Sequence, residues 1–271
     1  MRRSLILLVA LPALVAAAAA DPLAGLVTTY SYPEMADMAL TAPLAVAADI
    51  DRAIALKGAQ AEGVGSNRTR YYVEANTTAL ISGKGAVPPR ISYLVDLPNP
   101  ETGRKLKLKG APVMLLAAPG TRPGELRLIG PRAQVPRTPE NEARLRAILK
   151  AAVAPDAPPA ITGITRAFHV PGSLPGESET QIFLRTADNR PISLNVLRRP
   201  SEQPRWAVAL TELVDASAEP PARETLLWYR LACGLPPILP ERALMGLSNE
   251  DAEAARADYK VVLDGLGPCT R

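Results

Sequence analysis

One histidine and two nearby serines are the residues of this chain whose types could form a hydrolytic catalytic set. His169 is the only histidine among 271 residues, and a Ser-His-acid hydrolase needs one histidine as its base. Ser173 and Ser178 could supply the nucleophile, and Asp188 the acid. However, the sequence around Ser178 lacks the second glycine of a nucleophile elbow and precedes a predicted strand, whereas that motif precedes a helix. We therefore interpret His169 as structural and keep a hydrolase as the alternative.

Two carboxylates flank Ser178. Glu177 and Glu179 could act as an acid and base pair of the kind that cleaves glycosidic bonds. Their position where a loop meets a strand is more typical of a solvated edge, because charged side chains are mostly exposed. The loop that runs from His169 to Thr180 holds two prolines and two glycines, which shape a backbone. If the chain has a localised site, we expect it in this loop; an ordered hairpin turn is the other interpretation.

Three lysines alternate with leucines in a predicted strand. Lys105, Lys107 and Lys109 would lie on one face of it, where they could bind anionic lipid or polysaccharide. Lysines also protect an edge strand against aggregation, and we favour that interpretation.

The charge balance argues against nucleic acid as a partner. Arg68, Arg70 and the two tyrosines that follow could contact a single strand on a barrel, as could the Arg198-Arg199 pair. Removal of a signal peptide leaves 29 basic and 27 acidic residues, a net charge near +2, and nucleic-acid binding usually requires a concentrated basic field. No phosphate loop, dinucleotide motif or metal-ligand cluster occurs, so we predict no cofactor and no metal.

The N-terminus is typical of a secretory signal peptide. Arg2 and Arg3 precede an apolar stretch from Ser4 to Val15, and small residues end at Ala20. This pattern predicts cleavage after Ala20. The apolar stretch is short for a membrane anchor, and no second long apolar run follows, so we expect no membrane span in the mature chain. Frequent Ala, Arg and Pro suggest a bacterial source, and hence a periplasmic or secreted protein.

Two cysteines occur, Cys233 and Cys269. In an oxidising compartment they most simply form a disulfide with each other.

Alternating apolar residues predict a β-rich region from about 44 to 136. Residues 44–56 could open its sheet, and a helix is the competing interpretation there. Five strands with regular turns indicate a small β-barrel or sandwich, with an OB-like barrel possible. A helix over 138–153, capped by Thr138, and a Pro-rich linker to residue 159 follow. Four further strands precede helices over about 221–233 and 249–264.

This order predicts an α+β fold: a β-barrel or sandwich, then a C-terminal antiparallel-sheet domain with helices. The predicted division is a signal peptide (1–20), an N-terminal arm (21–43), a β-rich domain (44–136), a helix with linker (137–159) and an α+β domain (160–271).

Three stretches resemble a group of exported bacterial proteins of unassigned function: Tyr93–Pro98, Phe168–Leu184 and Leu226–Cys233. The resemblance implies a standalone exported protein and transfers no functional residue. We therefore expect a non-enzymatic binding or structural protein of the bacterial periplasm, with an envelope protein or small ligand as its partner. The alternative is a hydrolase of envelope material that uses the His169 and Ser178 region.

Overall fold

Two β-sheets and four α-helices make up the part of the chain that the computed structural model describes, which is residues 29–100, 106–210 and 219–271. This arrangement confirms the predicted α+β class. The strands of the first sheet are β1 Leu44–Ala55, β2 Arg68–Ser82, β3 Arg90–Pro98, β4 Pro112–Pro119, β5 Glu125–Leu128 and β6 Gln134–Pro136; those of the second are β7 Ile161–Pro171, β8 Ser178–Thr186, β9 Ile192–Arg198 and β10 Arg205–Ala209. The helices are α1 Tyr32–Thr41, α2 Pro139–Ala152, α3 Leu226–Gly234 and α4 Asn249–Leu266, and short 3-10 helices span Gly58–Ala61 and Glu241–Leu244.

Five strands of the first sheet close into a barrel. Their order is β1-β2-β3-β5-β4, and β4 also pairs with β1. The twelve-residue β1 can reach both neighbours because three register shifts interrupt its pairing with β2, and such irregularities bend a strand. The predicted small β-barrel is confirmed, and five closed strands are the OB-like arrangement.

The barrel interior is filled by the apolar residues that alternate along each strand. Most outward positions on β2 and β3 are polar, as expected when one face of a strand meets solvent; Leu80 and Leu94 are exceptions. The buried interior set includes Val46, Ile50, Val73, Ile91, Tyr93, Val95, Val113, Leu115 and Leu126.

Helix α1 lies in the stretch that we predicted to be an N-terminal arm. Ser31 caps it by accepting a hydrogen bond from Glu34 N at 3.2 Å, and Glu34 Oε2 accepts one from Ser31 N at 3.0 Å. Met35 and Ala36 on this helix are fully buried. The expectation of a loosely packed arm is wrong for residues 32–41, because one face of α1 packs into the main core.

The predicted strand that carries the lysine row is wrong where the structure describes it. Residues 106–108 form no strand, and Lys107 and Lys109 are exposed on a loop. Leu108 is buried, and the loop is fixed because Gly110 N donates to Ile50 O at 2.7 Å. The leucine and lysine alternation therefore reflects a loop packed against the barrel; Lys105 lies outside the described residues.

The second sheet is antiparallel in the order β10-β9-β8-β7. Its apolar face packs against α3 and α4. Helix α3, predicted from about residue 221, begins at Leu226, because the Thr225 hydroxyl accepts a hydrogen bond from Trp228 N and so caps the helix there. Trp228 is buried, as predicted.

The main hydrophobic core extends across the predicted domain boundary. It joins outward-facing residues of the barrel, such as Ala45 and Met114, to α1, α2 and the inner face of the second sheet. The predicted linker is also held in place: Ala157 O accepts from Arg190 Nη2 at 2.6 Å, and Pro159 is buried. The outer face of the barrel and the second sheet therefore share one packed core, which is separate from the barrel interior.

A disulfide joins Cys233, in α3, to Cys269, which follows α4. This is the pairing that the sequence predicts. Among the helices of the described residues, none has both the length and the hydropathy that crossing a membrane requires.

Candidate functional site

His169 belongs to a buried polar network that links the second sheet to α4. Its Nδ1 lies 2.8 Å from the hydroxyl of Thr180, its partner on the neighbouring strand. The Thr180 hydroxyl donates to Asp258 Oδ2, and Arg198 Nε donates to Asp258 Oδ1 at 2.6 Å. Because a threonine hydroxyl has one proton, which goes to Asp258, His169 is the donor in its bond to Thr180.

Three of the four side chains in this network are closed off from solvent. The side chains of Thr180 and Asp258 are both fully buried, and that of His169 is 8% exposed. The Thr180 hydroxyl therefore has no access to a substrate. The interpretation of His169 as a structural residue stays a prediction.

The other candidate residues of this region do not converge on His169. Ser173 is exposed in the β7–β8 turn, and Ser178 lies opposite Pro171. Glu177 folds back over that turn, where its Oε2 accepts from Leu174 N at 3.4 Å. Glu179 is exposed and pairs with Val170 in the ladder.

Asp188 lies in the turn beyond the opposite end of β8. It forms an ion pair with Arg190 at 2.7 Å. In the described residues, no hydrogen bond joins His169 to either serine or to Asp188. The segment from His169 to Thr180 is an ordered hairpin.

The candidate binding site lies in the barrel wall, in a cleft between β3 and β5. These two strands run parallel but pair at only two positions, Ser92 with Glu125 and Tyr93 with Leu126. Beyond Tyr93 the cleft opens between them, with a volume of about 780 Å³. That volume falls within the range of ligand-binding clefts, roughly 300–1,000 Å³. It is lined by consecutive β3 residues (93–96), by β5 (126–128), by outward-facing Arg70 and Tyr72 of β2, and by the β4–β5 loop.

The walls of the cleft combine an apolar surface with fixed charges. Leu94 is 50% exposed there, which is unusual for a leucine on a strand whose other outward residues are polar. Beside it, Arg70 binds Asp96 through two hydrogen bonds of 2.8 and 2.9 Å. That bond to Arg70 lowers the pKa of the Asp96 carboxyl. Asp96 therefore stays ionised at neutral pH.

The β4–β5 loop forms the end of the cleft and is held by its own contacts. Gly124 has a φ of +79°, and a Cβ there would lie 2.9 Å from Arg90 O. This close approach allows Ser92 N to donate to Gly124 O at 2.8 Å. Glu125 accepts hydrogen bonds from Arg122 and Thr121, and the bond from Arg122 lowers the pKa of Glu125.

Arg127 is the charged cleft residue whose charge is not balanced by a described neighbour. It is exposed on β5 and forms no ion pair with any residue that the structure describes. Counting the described residues alone, this wall of the cleft has a local excess of positive charge.

Leu94 and Arg127 were not among the candidate residues predicted from the sequence. The strand that contains Leu94 was predicted from the sequence. An apolar residue on the polar face of that strand indicates a contact surface, so Leu94 could have been identified from the sequence pattern. The sequence around Arg127 contains no pattern that indicates a binding residue, because its position in the cleft depends on where β5 separates from β3.

A scan of protein-family models finds no family that matches the chain, and a search of curated proteins finds none similar to it.

Proposed function

We propose that the chain is an exported, non-enzymatic binding protein of the bacterial periplasm and that its ligand occupies the β3–β5 cleft. The observation that carries this proposal is the early end of the β3–β5 pairing, which leaves a cleft of about 780 Å³ in a barrel that is otherwise closed. The outer face of strands 2 and 3 and the loop between strands 4 and 5 are also where OB-like barrels bind ligands.

The charge chemistry of the cleft supports binding over catalysis. A general acid or base works best when its pKa lies near the operating pH. The two carboxylates of the cleft, Asp96 and Glu125, each have a pKa that an arginine bond lowers. Both groups are suited to orienting a ligand and poorly suited to transferring a proton at neutral pH.

Export is supported by the signal-peptide pattern of residues 1–20, which lie outside the described residues, and by the Cys233–Cys269 disulfide. Disulfides persist in oxidising compartments. Mass spectrometry of the exported protein should find Asp21 as its first residue. Full-length chain retained in the inner membrane would contradict the proposal of export.

The binding site can be tested with the Leu94→Arg variant. An arginine there places a bulky charge on the cleft wall without disturbing the buried interior. The protein, labelled with ¹³C at its leucine methyl groups, would be titrated with periplasmic tryptic peptides and, separately, with soluble peptidoglycan fragments. We expect one of these mixtures to shift the methyl signals of Leu94, Leu126 and Leu128.

The Leu94→Arg variant should lose the response at Leu126 and Leu128. A matched control is Leu80→Arg, because Leu80 is 38% exposed on the same barrel and does not line the cleft. If neither mixture shifts the cleft methyl groups, or if both variants respond like the parent protein, the cleft is not the binding site.

A further inference from the structure

We infer that the β3–β5 cleft takes an extended peptide segment, which adds to the free edge of β3 as a further strand. This inference rests on the proposed function, because it names the ligand class of the same site. Strand addition of this kind derives its affinity from main-chain hydrogen bonds and its specificity from alternate side chains.

Two main-chain groups of β3 have no described partner on the side that faces the cleft, whereas the Asp96 carbonyl on that side accepts a hydrogen bond from Arg68 Nη2. Ser92 N donates to Gly124 O, so the main-chain groups of Ser92 point towards β5. Main-chain groups of alternate residues point the same way along a strand, so those of Leu94 and Asp96 also point to that side. In the described residues, no strand pairs with β3 there beyond Tyr93. The carbonyl of Leu94 and the N–H of Asp96 therefore face the cleft.

These main-chain groups match a peptide better than a glycan. Like main-chain groups of residues i and i+2 on one strand, carbonyl to carbonyl or N–H to N–H, repeat about every 6.6 Å. An extended peptide presents its own N–H and carbonyl groups at the same spacing. An unpaired strand edge is in general a template for another chain.

The side chains around the cleft define the sequence that would fit. An added strand would alternate its side chains between the two faces of the barrel wall. Those on the inner face would meet Tyr93, Val95 and Leu126, which are buried and apolar. Those on the outer face would pass between Leu94 and Arg127. Since Asp96 is already bound by Arg70, the available charge is that of Arg127, and acidic side chains complement it.

The peptide of best fit therefore alternates apolar and acidic residues. The probe is an eight-residue peptide of alternating valine and glutamate, acetylated and amidated so that its ends carry no charge. Its affinity would be measured by isothermal titration calorimetry. Two further peptides carry N-methyl groups, one on all valines and the other on all glutamates.

N-methylation separates strand addition from other modes of binding. All valine N–H groups of an extended peptide point to one side and all glutamate N–H groups to the other. We expect one methylated peptide to bind at least about tenfold more weakly, since it loses main-chain hydrogen bonds. The other should keep its affinity within about threefold, a change of less than 1 kcal/mol. Equal effects of the two methylation patterns would overturn the inference.

The charge of Arg127 allows a second, independent test of the inference. Arg127→Glu should weaken the valine–glutamate peptide about tenfold and should favour a valine–lysine peptide instead. The matched control is Lys84→Glu, which makes the same change of charge at an exposed residue after β2 that does not line the cleft. If both variants change the two affinities equally, the peptide does not lie beside Arg127 and the inference fails.

Failure of this inference differs from failure of the proposed function. If peptidoglycan fragments shift the cleft methyl groups while no peptide binds, the cleft remains the binding site and its ligand is a glycan. If the protein self-associates in light scattering and Leu94→Arg makes it monomeric, a second copy occupies the β3 edge. Either result overturns the peptide assignment.

Discussion

Asp258 is a fully buried carboxylate, and three side chains surround it. Arg198 lies 2.6 Å from one of its oxygens, Thr180 donates to the other, and His169 Nδ1 is 3.8 Å away. These partners come from three strands of the second sheet, whereas Asp258 comes from α4. The network therefore fixes how this helix packs on the sheet.

Removing the Asp258 carboxylate should destabilise the protein strongly. Asp258→Ala leaves the Arg198 guanidinium and the Thr180 hydroxyl without their partner, which costs about 3 kcal/mol. The measurement is the midpoint of urea unfolding. Asp264→Ala is the matched control, because Asp264 is 65% exposed on the same helix and pairs only with Lys260; its loss should cost less than about 0.5 kcal/mol. Equal costs for the two variants would contradict a structural role for the network.

The Arg70–Asp96 pair should make part of the stability depend on pH. Arg70 lowers the pKa of Asp96 in the folded protein, so the folded state binds a proton less readily than the unfolded chain. The contribution of Asp96 is therefore complete above the unfolded pKa of about 3.9 and is lost as the pH falls through the lower, folded pKa.

Asp96→Asn tests this dependence. The variant should be less stable than the parent at pH 7, by less than about 1 kcal/mol because the pair is partly exposed. The difference should shrink towards pH 2. The control is Glu179→Gln, since Glu179 is exposed and forms no ion pair in the described residues. A gap between Asp96→Asn and the parent that stays constant from pH 7 to pH 2 would rule out this linkage.

At the scale of elements, apolar patterns predicted the barrel strands β2 to β5, and the four strands of the second sheet were also predicted. The residues of β1 allowed either a strand or a helix, and the structure has a strand there. The two misassignments have physical causes. Helix α1 has only ten residues, although its Ser31 and Glu34 form a capping box that is readable in sequence. The lysine row alternates as a strand does, but residues 106–109 pair with no strand that the structure describes.

The disulfide should stabilise the helical pair α3 and α4. Cys233 and Cys269 are 36 residues apart, and closing a loop of that length contributes about 3–4 kcal/mol in the chain-entropy model. Replacing both cysteines by serine should lower the melting temperature by about 10 °C. Thiol labelling of the native, non-reduced parent should find no free thiol, and labelling of both cysteines would show that the bond does not form.

At the scale of the whole molecule, the sequence predicts the class of fold and the presence of a barrel but not the cleft. The candidate residues of the His169 region are close along the chain, whereas Thr180 and Asp258 are 78 residues apart and meet only through packing. Likewise, Leu94 and Arg127 share a cleft because two parallel strands diverge. Local patterns carry no information on such a divergence.

The main core also determines how the molecule should unfold. A two-domain division predicts that the barrel and the second sheet lose structure separately. However, α1 and α2 pack into the same apolar cluster as outward-facing barrel residues and the second sheet. We therefore expect one cooperative transition. Both tryptophans, Trp206 and Trp228, lie in the C-terminal half, so their fluorescence reports that half, while hydrogen exchange of β1 to β3 reports the barrel.

Met35→Ala tests whether this shared core couples the two sheets. Met35 is fully buried in α1, and its truncation should cost about 2–5 kcal/mol. Because α1 contributes to the interior between the barrel and the second sheet, the fluorescence and exchange midpoints in urea should move to lower concentration together. Met245→Ala is the control, since Met245 is 73% exposed and should leave both midpoints in place. A shift of one midpoint without the other would show that the barrel and the second sheet unfold as separate units in spite of their common core.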